Sequence, residues 1–217
     1  MAKSSRSLWT QKIVEGQVKV KSASGNAWTF ETLKTKAGLT AGERVKSEKT
    51  ERSARGRQMR GVVMGVDPSL RGTGISVIES LADGSLKYIE STTVKNPPSL
   101  SMAQCLARIL EEIEGMIERT HPKCVAMEQS VYVQNFRTAL ILGSSRGAAI
   151  AACARAGLEV FEYPPLRIKQ AVIGYGRASK IQVVKSVASL VSGAGQLPED
   201  EADASGAAIT HIFTHKI

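Results

Sequence analysis

Four acidic residues stand where their carboxylates could bind a cation. Asp67 follows an apolar run in GVDPSLRGTG, and Glu128 follows another in KCVAME. Asp200 and Asp203 are three residues apart near the start of a helix-forming segment, which places both carboxylates on one helix face. Clustered carboxylates repel each other, so their natural occupant is a divalent cation bound by oxygen ligands, with Mg²⁺ the best fit. Two such ions would suit phosphodiester hydrolysis.

Each acid also has an ordinary structural interpretation. Asp200 and Asp203 could interact with the dipole of the helix that they open, and Glu128 could be a strand-end acid with satisfied hydrogen bonds. Caps and solvated faces rarely produce all these features together, and the combination with Asp67 in a glycine-bounded turn favours a shared site. The three histidines have no evident serine or cysteine partner, and His211 is interpreted as a packed residue rather than a general base.

The elements that must position these acids begin with three strands. GVVMGVD, GISVIES and LKYIEST are joined by tight polar turns and predict an antiparallel meander. A helix is predicted after Pro97-Pro98, with Ser99 or Ser101 as its cap. Its apolar positions recur at helical spacing, at Met102, Leu106, Ile109, Ile113 and Met116.

The second half alternates strands and helices. KCVAME and LEVFEY are predicted strands, and TALILGSSRGAAIAACARAG, SKIQVVKSVASLV and EDEADASGAAITHIF are predicted helices. The resulting order, β-β-β-α-β-α-β-α-α, predicts an α/β fold with a mixed five-stranded sheet flanked by helices. Strand-helix-strand alternation after a meander requires parallel pairing in this half.

Charge divides the chain near residue 60. Residues 1–60 hold 14 Lys and Arg against 5 acids, whereas residues 61–217 hold 15 of each. The first segment is predicted to be a basic, largely disordered extension with a hairpin around Gly25-Asn26. It is either a solvated tail or an arm that binds phosphates. No apolar run of membrane-spanning length and no signal-peptide pattern occur, which favours a cytoplasmic protein that does not contact a membrane.

Five blocks carry a family resemblance. GVDPSLRGTG, AMEQS, ALILGSSRGAAIAA, FEYPPLRIKQAVIGYGRASKIQV and DEADASGAAITH together resemble RuvC-type Holliday-junction resolvases, in the family's order and spacing over about residues 61–215. The resemblance implies a ribonuclease-H-like nuclease domain at residues 61–217. Residues 1–60 lie outside it, and Met59 stands where such proteins usually start. The implied catalytic and metal-binding acids are Asp67, Glu128, Asp200 and Asp203.

The implied activity is a crossover junction endodeoxyribonuclease acting in DNA recombination and repair. It would cut four-way junction DNA by paired nicks that leave 5′-phosphate and 3′-hydroxyl ends. Two Mg²⁺ ions per subunit are implied, with Mn²⁺ as a substitute, and the enzyme is expected to be a homodimer. Whether a branch-migration helicase complex is a partner stays open.

The resemblance also implies DNA contacts. Lys169 and Lys180 occupy positions where the family keeps lysines near the active site, and Arg167 and Arg177 lie close by in sequence. The loop after Glu128 departs from the family pattern, because valine stands at position 131 where the family has an aromatic residue. Tyr132 is the first candidate to insert into the junction, and Phe136 is the second.

Two other functions remain open from the sequence. One is a non-catalytic junction-binding protein on the same fold, which would be favoured if one of the four acids were missing. The other is a relative that processes RNA. A phosphotransferase of the actin and sugar-kinase type is disfavoured, since that group needs two nucleotide-binding domains and a much longer chain.

Overall fold

The computed structural model describes residues 59–129, 135–174, 176 and 179–215, together with the backbone of residues 20–21 and 27–28. The chain divides into two units, Met1–Glu51 and Arg52–Ile217. In the first unit, β1 (Val20–Lys21) pairs antiparallel with β2 (Ala27–Trp28), at the position of the predicted hairpin. The rest of residues 1–58 lies outside the described residues, so the boundary at residue 60 stays a prediction.

The second unit contains a six-stranded mixed sheet. Its strands are β3 (Gly61–Asp67), β4 (Gly72–Ser80), β5 (Leu86–Lys95), β6 (Cys124–Glu128), β7 (Val160–Tyr163) and β8 (Val191–Ser192). The order across the sheet is β7-β6-β3-β4-β5-β8. β3, β4 and β5 form the predicted antiparallel meander, and β6 and β7 add in parallel beside β3.

The central strand is buried on both faces. Along β3, Val63 packs in the cluster that includes the C-terminal helix residues Ala208 and Ile212, whereas Met64 and Val66 pack in the cluster on the other side of the sheet. Successive strand residues point to opposite faces, so a strand covered on both sides must be apolar throughout. The carboxylate of Asp67 therefore lies where the buried part of the strand ends.

Two helices cover one face of the sheet. α1 (Met102–Thr120) begins at Ser101, whose hydroxyl accepts a hydrogen bond from the Gln104 main-chain N–H in a capping box. Its predicted apolar face is confirmed at Ile109, Ile113 and Met116, but Met102 is 39% exposed. α2 (Phe136–Arg155) follows β6 and packs against α1.

The other face carries three helices, α3 (Pro165–Ile173), α4 (Lys180–Leu190) and α5 (Glu199–Thr214). The sequence reasoning missed α3, although Pro165 at the first helical position and Gly174 at the end are the usual boundary signals. The predicted helix over SKIQVVKSVASLV ends one residue early. Val191–Ser192 instead pairs in parallel with Leu86–Lys87, so the sheet has six strands rather than the predicted five.

The predicted fold class, a mixed α/β sheet flanked by helices, is confirmed. α5 lies across β3 and β4 at short distance, because glycines face it. A Cβ on Gly65 would lie 1.9 Å from the Ala204 main-chain oxygen, and one on Gly74 would lie 2.0 Å from that of Asp200. These contacts place the first turn of α5 against the carboxyl end of β3. Within the described residues, no helix combines the length and apolar character needed to span a membrane.

Candidate active site

Three element ends bring four carboxylates together at one edge of the sheet. Asp67 is the last residue of β3, and Glu128 is the last residue of β6, which is parallel to β3. Asp200 and Asp203 belong to the first turns of α5. The carboxyl ends of neighbouring parallel strands meet at the same edge, and the glycine contacts place α5 there as well.

Asp67 is the most perturbed of these acids. Its pKa is raised from the usual 3.8 to about 7, chiefly by burial and then by the negative charges of Asp203, Glu128 and Asp200, while Lys180 opposes the shift. The charges of three other acids therefore act on the Asp67 carboxyl. A bound cation would remove this penalty, because it favours the ionised form of every acid around it.

Glu128 and Asp203 are perturbed in the same direction. Burial raises the pKa of Glu128, the charge of Asp203 raises it further, and Lys169 and Lys180 lower it. Burial also raises the pKa of Asp203, and Lys180 opposes that shift. The site therefore carries an excess of negative charge, which favours the binding of a cation.

Lys180 is the positive charge that contacts the acids directly. Its Nζ lies 3.5 Å from Asp203 Oδ2 and forms an ion pair with Glu199. The main chain at Ser179 begins α4, because the Ser179 hydroxyl accepts a hydrogen bond from the Gln182 N–H in a second capping box. Lys180 is thus the first residue of α4, and its side chain contacts the first two turns of α5.

The donor set fits a hard divalent cation, since all four groups supply carboxylate oxygens. In the part of the chain that the structure describes, no three His, Cys, Asp or Glu side chains lie close enough together to hold a metal ion.

Comparison with known proteins identifies the family. Residues 63–211 match the family described as crossover junction endodeoxyribonuclease RuvC. The chain belongs to this family. A crossover junction endodeoxyribonuclease RuvC of Bordetella avium is 42% identical over 153 residues, which cover 70% of this chain and 83% of that protein. The corresponding protein of Rubrobacter xylanophilus is 37% identical over 165 residues, which cover 75% and 90%.

A solved relative has the same architecture. RuvC of T. thermophilus in complex with a Holliday junction substrate matches with a TM-score of 0.66 and 28% identity, over 70% of this chain and 93% of that one. The predicted ribonuclease-H-like resolvase fold is confirmed by this match. RuvC-family nucleases depend on a divalent metal, which agrees with the carboxylate donor set.

The predicted DNA-contact residues fall into three groups. Lys180 and Lys169 both act electrostatically on the acids. Arg167 is exposed on α3, and its positive charge lowers the pKa of Tyr163. Tyr132 and Arg177 lie outside the described residues. Phe136, the second candidate for insertion into a junction, opens α2 with 76% of its surface exposed.

Sequence reasoning missed two charged residues that form hydrogen bonds beside the acids. Arg146 of α2 donates a hydrogen bond from Nη1 to the main-chain oxygen of Glu128, 2.9 Å away, and forms an ion pair with Glu162. Glu201 of α5 accepts hydrogen bonds from two hydroxyls of β5. Arg146 stands out in the sequence as a lone charge among small residues of a helix, a signal that could have pointed to it.

His211 is a packed residue, as the sequence analysis expected. It is fully buried, and its Nδ1 lies 2.7 Å from Tyr163 Oη and its Nε2 3.3 Å from Cys124 Sγ. Phe161 packs against the ring at a centroid distance of 4.4 Å. Burial lowers the pKa of His211 to about 4, so the ring is neutral near neutral pH and carries no catalytic proton to the carboxylates.

Proposed function

We propose that this RuvC-family chain resolves Holliday junctions in DNA recombination and repair by paired, Mg²⁺-dependent nicks that leave 5′-phosphate and 3′-hydroxyl ends. The observation that carries the proposal is the convergence of Asp67, Glu128, Asp200 and Asp203 at one sheet edge. The charges of the other three acids act on Asp67, and the glycines of β3 and β4 let α5 approach this edge. Family membership and the likeness to a junction-bound RuvC support the same conclusion.

The four acids would act as ligands. Asp67, on which the charges of the other three acids act, would hold the metal together with Glu128, Asp200 and Asp203. Two Mg²⁺ ions at this position would activate the attacking water and neutralise the departing oxygen of the scissile phosphate. His211, whose ring nitrogens contact Tyr163 and Cys124, is not proposed as a nucleophile or a general base.

Lys169 and Lys180 would bind the phosphates on either side of the cut. Both lie close enough to the carboxylates to lower the pKa of Glu128. Exposed Arg167 and the residues Tyr132 and Arg177 are proposed as more distant DNA contacts. Phe136 supports an aromatic contact with an open junction, because base stacking on an exposed aromatic side chain stabilises unstacked DNA.

A homodimer would place two such sites on opposite strands of a two-fold symmetric junction. One stripe of α2 supports it, since Phe136 and Leu140 are exposed and a Cβ on Gly143 or Gly147 would meet nothing within 4 Å. An open stripe of large apolar and small residues suits close helix packing by a second copy. Delivery of the junction by a branch-migration helicase complex is an extension of the same proposal.

The decisive experiment is cleavage of a four-way DNA junction beside a duplex, a single strand and an RNA junction of the same sequence, with Mg²⁺ as the metal. We expect cuts in the DNA junction at symmetric positions. Preferential cutting of RNA would favour the RNA-processing alternative, and junction binding without cutting under every metal condition would favour the non-catalytic one.

A further inference from the structure

Glu201 lies between the α5 acids in sequence but is bonded to the sheet. Its Oε2 accepts a hydrogen bond from Ser91 Oγ at 2.5 Å, and its Oε1 accepts one from Thr93 Oγ1 at 3.0 Å. Ser91 and Thr93 are alternate residues of β5, so their hydroxyls leave the same face of the strand. One strand therefore fixes both oxygens of one carboxylate.

The next turn of α5 is attached to the sheet as well. Ser205 Oγ lies 2.7 Å from Ser76 Oγ on β4 and 2.7 Å from the main-chain oxygen of Glu201. Tyr88 Oη lies 3.0 Å from Ser91 Oγ and extends the hydroxyl chain along β5. These contacts tie the first two turns of α5 to two strands of the meander.

These attachments fix the rotation of α5 about its own axis. Successive residues of an α-helix are roughly 100° apart, so a side chain held on the β5 side determines where its neighbours point. With Glu201 held by β5, the Asp200 carboxylate lies beside Gly72 of β4, where a Cβ would be 3.0 Å from its Oδ2, and Asp203 Oδ2 lies 3.5 Å from Lys180 Nζ. Lys180 holds the other flank of the turn through Glu199 and Asp203.

We propose that Glu201 is a positioning residue of the metal site, acting through Ser91 and Thr93 to set the direction of Asp200 and Asp203. The inference rests on the proposed function. Favourable interaction with the helix dipole would account for an acid anywhere in this turn, but it requires no hydroxyl partners. The negative charge of Glu201 next to Asp200 is unfavourable because the two carboxylates repel each other. The hydroxyls of Ser91 and Thr93 offset this repulsion only when α5 turns Glu201 towards β5.

The test compares Glu201→Ala with the pair Ser91→Ala and Thr93→Val in the full-length protein. Thr92→Val is the matched control, because Thr92 is the same residue type on the opposite face of β5. Mn²⁺ affinity is measured by calorimetry without DNA, and the Mg²⁺ concentration for half-maximal junction cleavage is measured separately. Junction binding without metal and the circular dichroism spectrum report on the fold.

We expect Glu201→Ala and the hydroxyl pair each to weaken metal affinity by about 10- to 100-fold, the usual range for partners that orient metal ligands. Combining all three substitutions should add little, since each variant breaks the same interaction. Thr92→Val should stay within about twofold of wild type, and metal-free junction binding should be unchanged in every variant. Glu201→Gln keeps one acceptor oxygen and should recover part of the loss.

Normal metal affinity in a folded double variant, Ser91→Ala with Thr93→Val, would overturn the inference. It would mean that Glu201 needs neither hydroxyl partner to affect the metal site. That pair keeps the carboxylate, so it carries the test even if Glu201→Ala fails to fold. Asp67→Asn is measured alongside. If Asp67→Asn still cuts junctions and binds Mn²⁺ normally, the proposed function fails; if only the Glu201 variants behave as wild type, this inference alone fails.

Discussion

Replacing Asp67 by asparagine should stabilise the metal-free protein at alkaline pH while stopping cleavage. The substitution keeps the shape of the side chain and removes its charge. In the folded protein that charge is unfavourable, because burial and the charges of Asp203, Glu128 and Asp200 raise the pKa of Asp67 from 3.8 to about 7. The amide avoids this penalty, but it cannot serve as an anionic ligand.

The sign and size follow from proton linkage. Between about pH 4 and pH 7 the folded protein holds a proton on Asp67 that the unfolded chain has released, so stability falls as the pH rises through this window. A shift of about three pKa units corresponds to about 4 kcal/mol, and solvent screening of the partly exposed carboxyl reduces it. We expect Asp67→Asn to add about 2–4 kcal/mol near pH 8, or roughly 5–15 °C in Tm, and almost nothing near pH 4.

The assay is thermal unfolding of both proteins in a chelator at several pH values. Asp83→Asn is the matched control. Asp83 lies in the turn between β4 and β5, where hydrogen bonds from Ser85 lower its pKa. Its replacement by asparagine should therefore add no stability at alkaline pH. Added Mg²⁺ should raise the Tm of wild type much more than that of Asp67→Asn. A stability difference that does not change with pH would refute the reasoning, since it would not come from ionisation.

Three further predictions concern packing, a buried histidine and the basic extension. Gly74→Ala should destabilise the protein by about 1–3 kcal/mol and reduce junction cleavage at least about tenfold, because the new Cβ displaces the first turn of α5. Gly115→Ala in α1, whose Cβ would meet only the flexible end of Arg119, should do neither. His211 stays neutral in the folded protein down to about pH 4, whereas the unfolded chain protonates it below about pH 6.5, so stability should fall by about 3 kcal/mol as pH drops through that window. Urea unfolding should show this loss in wild type but not in His211→Gln. A chain starting at Met59 should keep cleavage at saturating enzyme and show a shallower salt dependence of DNA binding; an equal salt slope would mean that residues 1–58 do not contact DNA.

The elements of the nuclease domain were largely predictable from the sequence, because periodicity and end signals are local. The apolar runs before Asp67 and Glu128 predict buried strands, and the three strands of the meander, α1 and α5 follow from alternation and spacing. α3 was missed because it has only nine residues between Pro165 and Ile173, too short for a clear period. The two-residue strand Val191–Ser192 has no local signal at all, since it forms only by pairing with β5.

The four acids could also be chosen from the sequence, because a charge at the end of an apolar strand has few structural uses. Their convergence depended on tertiary structure. Parallel pairing of β3 with β6 aligns Asp67 and Glu128, and the absence of side chains at Gly65 and Gly74 lets α5 approach closely enough to add its pair.

By itself, then, the sequence determined which residues are chemically suited to bind a divalent metal and which kind of fold carries them. The tertiary structure decided how those residues are held. Arg146 supports Glu128, and Ser91 and Thr93 hold Glu201, across separations in sequence that no local pattern encodes. The electrostatics also depend on three-dimensional proximity. The pKa of Asp67 reaches about 7 because burial acts on it together with three carboxylates that are far from it in sequence.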